Sequence, residues 1–281
     1  MKSRVLTSVA IVACALLLVI CSEYIVFPIA LALLAVIAVF EILRVIGVHK
    51  KLLLAVPAYI LAIAFPISAY FVKSEGVITF LLILAAIVYV YLMWLMGVSI
   101  FSKGSIPFST IAEVFASALY VVVSFTSMSL LRYIDKTVGV FCVVLVFVIC
   151  WVCDVSAFAV GSLMGKHKLI PEVSPKKTVE GAIGGVVFSA LLCLVYGLVI
   201  QLLFKQVQPN YLYLFIFGLV LSVVSQLGDL VASLIKREYG IKDYGSIFPG
   251  HGGIMDRFDS VLAVSTILLI LSIVLPPFVA K

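Results

Sequence analysis

Charge is what this sequence has least of. Only 11% of its 281 residues are charged and 65% are hydrophobic, whereas a soluble domain carries about 25% charged residues. No polar stretch is long enough for a separate soluble domain. Any chemistry therefore falls to a membrane body and its short loops. Basic residues are scattered over those loops rather than gathered on one face, which excludes nucleic acid as a partner. Histidine is also scarce, at three residues. Cys150-x-x-Cys153 has no second pair or histidine cluster to complete a zinc site. The six cysteines, at 14, 21, 142, 150, 153 and 193, all lie in apolar runs and read as small buried hydrophobes. Internal repeats and low-complexity stretches are absent as well.

What is present is a series of long, continuous apolar runs, with a mean hydropathy of +1.34. A membrane-spanning helix needs about 20 such residues. The runs predict an all-α, polytopic membrane protein with nine spans, at 5–21, 24–43, 52–72, 77–100, 111–131, 137–160, 182–204, 211–235 and 257–277. Barrel strands would alternate over about ten residues, and these runs do not. The first run follows Met1-Lys2-Ser3-Arg4 and mimics a signal peptide, but no A-x-A-like site follows it, so it reads as a span.

Lys and Arg number fourteen on the N-terminal side of these spans and five on the other. The positive-inside rule then places the N-terminus in the cytoplasm. Loops 161–181 and 236–256 fall on the same side, as do the membrane-embedded acids Glu113, Asp154 and Asp229. Eight of the thirteen acids lie within 150–260. Residues 1–135 therefore read as scaffold and 136–281 as the catalytic region. Compactness and the lack of a targeting sequence point to a bacterial inner membrane.

Asp229, Ser233 and Lys236 are spaced i, i+4, i+7 and share one helical face. An acid inside a membrane is expensive, so this face turns away from lipid. Asp229 then either pairs with a nearby lysine or binds a metal. Asp256-Arg257-Phe258-Asp259 opens the last span. Its two acids are either helix N-terminal residues favoured by the macrodipole or ligands, with Asp256 meeting Asp229 across two helices. Mg²⁺ takes one or two carboxylates and completes its shell with water and phosphate. Asp154 is a third candidate ligand.

His251-Gly252-Gly253 precedes this pair. Glycines let backbone N–H groups approach a phosphate, a helix start adds positive potential, and His251 reads as a substrate contact. His49 and His167 read as structural or surface residues. A second shaped loop, Ser174-Pro175-Lys176-Lys177-Thr178-Val179-Glu180-Gly181, suits a triphosphate or an anionic lipid headgroup. Gly161-x-x-x-Gly165-Lys166 is like a P-loop only superficially, because its spacing is short and His167 stands where Ser or Thr should be.

These residues form a pattern: Ser233-x-x-Lys236-Arg237, then Lys242-Asp243-x-Gly245-x-x-Phe248-Pro249-x-His251-Gly252-Gly253-x-x-Asp256-Arg257-x-Asp259. The pattern resembles the signature of the phosphatidate cytidylyltransferases, also called CDP-diacylglycerol synthases. The surroundings of Asp154 and of Ser174–Thr178 resemble that family too, so the likeness covers roughly 150–260. It implies that CTP and phosphatidic acid give CDP-diacylglycerol and pyrophosphate, with Mg²⁺ and a second, monovalent cation such as K⁺. It implies Asp229 and Asp256 as metal ligands and, for this family, a homodimer. Lys236, Arg237, Lys242 and Arg257 would offset the gathered negative charge. Ser174, Lys176, Lys177, Ser233, Asp243, His251, Gly252, Gly253 and Asp259 would hold the substrates.

Three rival classes stand beside this reading. An ion-coupled transporter would place its acids at the midplane in paired halves, and these acids cluster at one rim. A CTP-dependent polyprenol or dolichol kinase shares the setting but not the stretch from His251 to Asp259. A structural scaffold gives no reason for eight acids in one region.

Overall fold

The computed structural model describes residues 17–72, 76–248, 250 and 252–281. Among the described residues are eight helices long and apolar enough to cross a membrane. They are α1 (Val26–Val45), α2 (Leu52–Ser68), α3 (Val77–Phe101), α4 (Phe108–Tyr133), α5 (Gly139–Met164), α6 (Val179–Leu203), α7 (Tyr211–Glu238) and α8 (Met255–Val274). Each corresponds to one of the expected spans, and the chain is an all-α, polytopic integral membrane protein. The expected first span, 5–21, lies outside the described residues except for its end, where 17–20 are helical.

The chain divides into two compact units, Met1–Ile134 with Asp243–Arg257, and Asp135–Lys242 with Phe258–Lys281. In the first, α1 and α2 meet through small residues. Ala35, Ala38, Ala55, Ala58 and Ala62 have no exposed surface, and such residues let membrane helices approach closely. Pro57 lies inside α2 and cannot donate to the Leu53 carbonyl one turn earlier. Trp94 Nε1 of α3 donates to that carbonyl instead, at 2.9 Å. The freed acceptor is thus satisfied from a neighbouring helix, as a lipid setting requires.

In the second unit, α5, α6 and α7 pack side by side. Two small antiparallel sheets sit in its loops. Strands β1 (Lys168–Ile170) and β2 (Ser174–Thr178) pair Lys168 with Thr178 and Ile170 with Ser174. Strands β3 (Val207–Pro209) and β4 (Phe278–Ala280) pair Val207 with Ala280 and Pro209 with Phe278. Helix α6 begins at Val179, three residues before its apolar run, because Thr178 caps it. Helix α8 ends at Val274, short of the expected 277, since Pro276-Pro277 cannot continue a helix. The described cysteines are free thiols, and Cys142, Cys150, Cys153 and Cys193 are buried.

Candidate active site

The site in the second unit starts from glycines. A Cβ on Gly181 of α6 would lie 2.6 Å from the Ala157 carbonyl oxygen of α5, and one on Gly184 would strike Val160. Their absence lets the two helices touch. Gly161, read above as part of a weak P-loop likeness, does the same: its face is filled by Thr178 and Gly181. Thr178 Oγ1 accepts from Gly181 N at 3.2 Å and caps α6, as an N-cap threonine does.

The β1–β2 hairpin is then tied down at two points, and α6 is tied to α7 at a third. Glu180, in the first turn of α6, pairs with His167 Nδ1 at 2.6 Å and accepts the Lys166 backbone N–H at 3.1 Å. Arg237 Nε donates to Val173 O at 3.4 Å. Gln226 Nε2 of α7 donates to Ala182 O at 3.2 Å. His167, read from the sequence as a structural or surface residue, is exposed and paired with the Glu180 carboxylate.

These ties frame a cleft of about 350 Å³. Asp154, Ser162, Lys176, Lys177, Thr178, Gln226 and Asp229 supply its polar lining, with Phe158 and Leu169 on the apolar side. Lys177 Nζ meets Asp229 Oδ2 at 2.6 Å. Ser233 Oγ donates to Asp229 Oδ1 at 3.4 Å, so the expected i, i+4 face is present. Of the two readings for Asp229, the lysine partner is therefore observed, and that lysine comes from the hairpin. Helix α7 closes with Gly240 at φ +64°, its N–H bonded to Arg237 O, while Ile241 N bonds to Lys236 O. This helix-terminating motif fixes Lys236 and Arg237 in the last turn.

Asp259 belongs to the same unit. A Cβ on Gly228 would come within 2.7 Å of the Asp259 carbonyl oxygen, so α8 runs against α7 one residue before Asp229. The Asp259 carboxylate accepts Ser260 N at 2.7 Å and feels the charges of Asp229, Lys236 and Asp154. Ser174 opens β2 and is half-buried, while Lys242 is exposed.

The rest of the signature folds in the first unit. Asp256 is 8% exposed, and its Oδ2 accepts from Tyr244 N at 2.8 Å and from Gly253 N at 2.9 Å. Gly252 has φ +84°, and a Cβ there would lie 2.6 Å from Asp256 Oδ2. Gly252 and Gly253 thus serve the Asp256 carboxylate at close range. Asp243 and Arg257 are exposed. His251 and Pro249 lie outside the described residues.

One residue of this loop's surroundings escaped sequence reasoning. Glu41 of α1 is 2% exposed and accepts Ile254 N at 3.1 Å and Met255 N at 2.9 Å. Arg44, one turn on, donates to Tyr244 O at 2.6 Å. The signal was visible, because Glu41 is an acid within an apolar run. Glu113, flagged among the acids, is exposed near the start of α4. Among the described residues no group of three or more His, Cys, Asp or Glu side chains is arranged to hold a metal ion.

An integral membrane protein with an acid–lysine cleft at one end of its helices suits phosphate-bearing reactants. Residues 2–275 match the model of the cytidylyltransferase family. The chain belongs to that family and is a nucleotidyltransferase enzyme. A Bacillus subtilis (strain 168) protein named phosphatidate cytidylyltransferase is 36% identical over 277 residues, covering 96% of this chain and 97% of its own. A Staphylococcus haemolyticus (strain JCSC1435) protein of the same name is 40% identical over 179 residues, covering 64% and 65%. A third so named, from Staphylococcus aureus (strain COL), is 41% identical over 175 residues, covering 62% and 64%.

Proposed function

We propose that the protein transfers a cytidylyl group from CTP to phosphatidic acid, giving CDP-diacylglycerol and pyrophosphate. The observation that carries this reading is the cleft in which Lys176 and Lys177 stand beside Asp154 and Asp229. Cationic side chains there suit phosphates, and carboxylates suit a hard cation.

In the reaction, an oxygen of the lipid phosphate forms a bond to the α-phosphorus of CTP. The bond from that phosphorus to the bridging oxygen breaks, and pyrophosphate leaves with the electron pair. No side-chain nucleophile is needed. Catalysis is then positioning and charge neutralisation. Lys176 and Lys177 bind phosphate oxygens, and Lys236, Arg237, Lys242 and Arg257 offset the charge of two anions. Ser233 orients Asp229. Ser174, Asp243, His251 and Asp259 complete the substrate-binding set.

The donor chemistry fits magnesium. Lys177 already neutralises Asp229 Oδ2 at 2.6 Å, where a cation would otherwise do so. Asp229 and Asp256 would hold the ion, with Asp154 as a further carboxylate, and one or two carboxylates are enough for Mg²⁺. When bound, the ion neutralises phosphate oxygens and the leaving pyrophosphate. The pairing of Asp229 with Asp256 rests on the sequence signature. A monovalent cation such as K⁺, a homodimer, and an active site on the cytoplasmic face of a bacterial inner membrane belong to the same reading.

The test is an assay with purified protein in detergent, CTP labelled in the cytidine, phosphatidic acid and Mg²⁺. Label in the lipid phase is the expected result. Transfer of only the γ-phosphate would mean a lipid kinase, and uptake into vesicles without a covalent product would mean a carrier.

A further inference from the structure

Helix α1 lies in the part of the chain read as scaffold, yet Glu41 reaches into the signature. Both of its carboxylate oxygens accept backbone N–H groups, Oε1 from Ile254 and Oε2 from Met255. These N–H groups sit at the start of α8, where a helix has no internal acceptors to offer. An acid at that position also complements the helix dipole. The residue that follows them is Asp256.

The glycines of the signature are placed around the same carboxylate. A Cβ on Gly253 would run into Glu41, whose carboxylate atoms are its three nearest neighbours. A Cβ on Gly245 would also meet Glu41 first. Gly253 N is meanwhile a donor to Asp256 Oδ2. Arg44, one turn from Glu41, holds the Tyr244 carbonyl, and Tyr244 N also donates to Asp256. Two charged residues of α1 thus grip the loop beside two of the donors to Asp256.

We propose that Glu41 is the positioning residue for Asp256, and that Gly245 and Gly253 are glycine to admit the Glu41 carboxylate. The role assigned to Glu41 rests on the reading of Asp256 as a metal ligand. Residues that orient a ligand from behind change metal affinity by about 10- to 100-fold when removed. Glu41 acts in that way: it touches no reactant and sets where the Asp256 carboxylate stands.

The experiment uses the full chain in detergent, with Glu41→Gln, Glu41→Ala, Gly253→Ala and the Glu41→Ala/Gly253→Ala double variant. Glu41→Gln keeps the side-chain shape and so guards against loss of fold. Hydrogen–deuterium exchange reads the 252–256 segment directly, and exchange at Ile254 and Met255 should quicken in both Glu41 variants. The Mg²⁺ concentration for half-maximal rate should rise about 10- to 100-fold in Glu41→Gln, with the KM for phosphatidic acid unchanged. Gly253→Ala should be harmful alone and add little to Glu41→Ala, since the atoms it strikes are gone.

Unchanged exchange at 254–255 would overturn the proposal. So would faster exchange with an unmoved Mg²⁺ requirement, because Glu41 would then only cap a helix. Equal harm from Gly253→Ala in both backgrounds would remove the claim about the glycines. Asp256→Asn separates this from the underlying reading. If that variant keeps the wild-type Mg²⁺ requirement, the ligand assignment fails, while exchange and the double variant still report on Glu41's hold.

Discussion

Replacing Gly181 by alanine puts a methyl group where α5 and α6 touch. The new Cβ would lie 2.6 Å from Ala157 O, 2.9 Å from Thr178 Oγ1 and 3.1 Å from Gly161 Cα. The first of these is backbone and is about 0.8 Å short of ordinary contact. No side-chain rotation relieves it, so the helices must separate. Overpacking of this kind costs about 1–3 kcal/mol. The shift also carries the hairpin, and with it Lys176 and Lys177, away from Asp154 and Asp229. A misplacement near 1 Å can lower a rate by about 10²-fold. Gly181→Ala should therefore melt earlier and lose one to two orders of magnitude in rate. Gly161→Ala should be milder, because its nearest neighbour is the Thr178 hydroxyl, which can turn; the loss is the cap, about 1 kcal/mol. Gly97→Ala in α3 meets nothing within 4 Å. It should stabilise by about 0.5–1 kcal/mol through helix propensity and leave the rate alone. Thermal unfolding in detergent and initial rates of cytidylyl transfer at saturating CTP measure all three. A Gly181→Ala protein with the melting point and rate of Gly97→Ala would refute the close-contact account of the cleft.

Asp256→Asn should lower turnover by about 10²-fold or more while the protein still purifies as a folded species; full activity in that variant would remove Asp256 from the machinery. Lys177→Met deprives Asp229 of its partner at 2.6 Å. Both side chains keep more than a quarter of their exposure, so the stability loss should be near that of a surface pair, about 1 kcal/mol. Its rate should fall far more than its melting point, with partial recovery in Lys177→Arg, and a parallel fall of both would contradict a substrate role. Thr178→Ala should cost about 1 kcal/mol of stability and leave the Mg²⁺ requirement unmoved in a metal titration.

The apolar runs made the helices legible, since about 20 continuous hydrophobic residues admit few other structures. Their ends were less so, because caps decide them: Thr178 starts α6 early and Pro276 stops α8. The β1–β2 hairpin was not visible, as β2 reads Ser-Pro-Lys-Lys-Thr and has no alternating pattern. Helical spacing correctly brought Ser233 to Asp229, four residues away. It could not name Lys177, which arrives from a loop 52 positions earlier. The partners of Glu41 were beyond reach for the same reason in stronger form, lying 213 and 214 positions away. The glycines near Gly161, like a phosphate-binding loop only superficially, serve a helix contact instead.

That last reassignment extends to the signature itself. Glycine beside an acid reads at first as a phosphate cradle, because backbone N–H groups can then approach an anion. Here the anion approached is part of the protein. Gly252 and Gly253 face Asp256 or Glu41, and Gly228 admits the backbone of α8 beside Asp229. A membrane protein with so few charges cannot leave a buried carboxylate unsupported, and backbone N–H groups are the donors that require no further charge. Where a Cβ would point at the carboxylate, as at Gly252 and Gly253, that approach requires removing it. The glycines at these points are therefore fixed by the acids they serve, and their substitution should be felt as a displaced carboxylate before any loss of substrate contact.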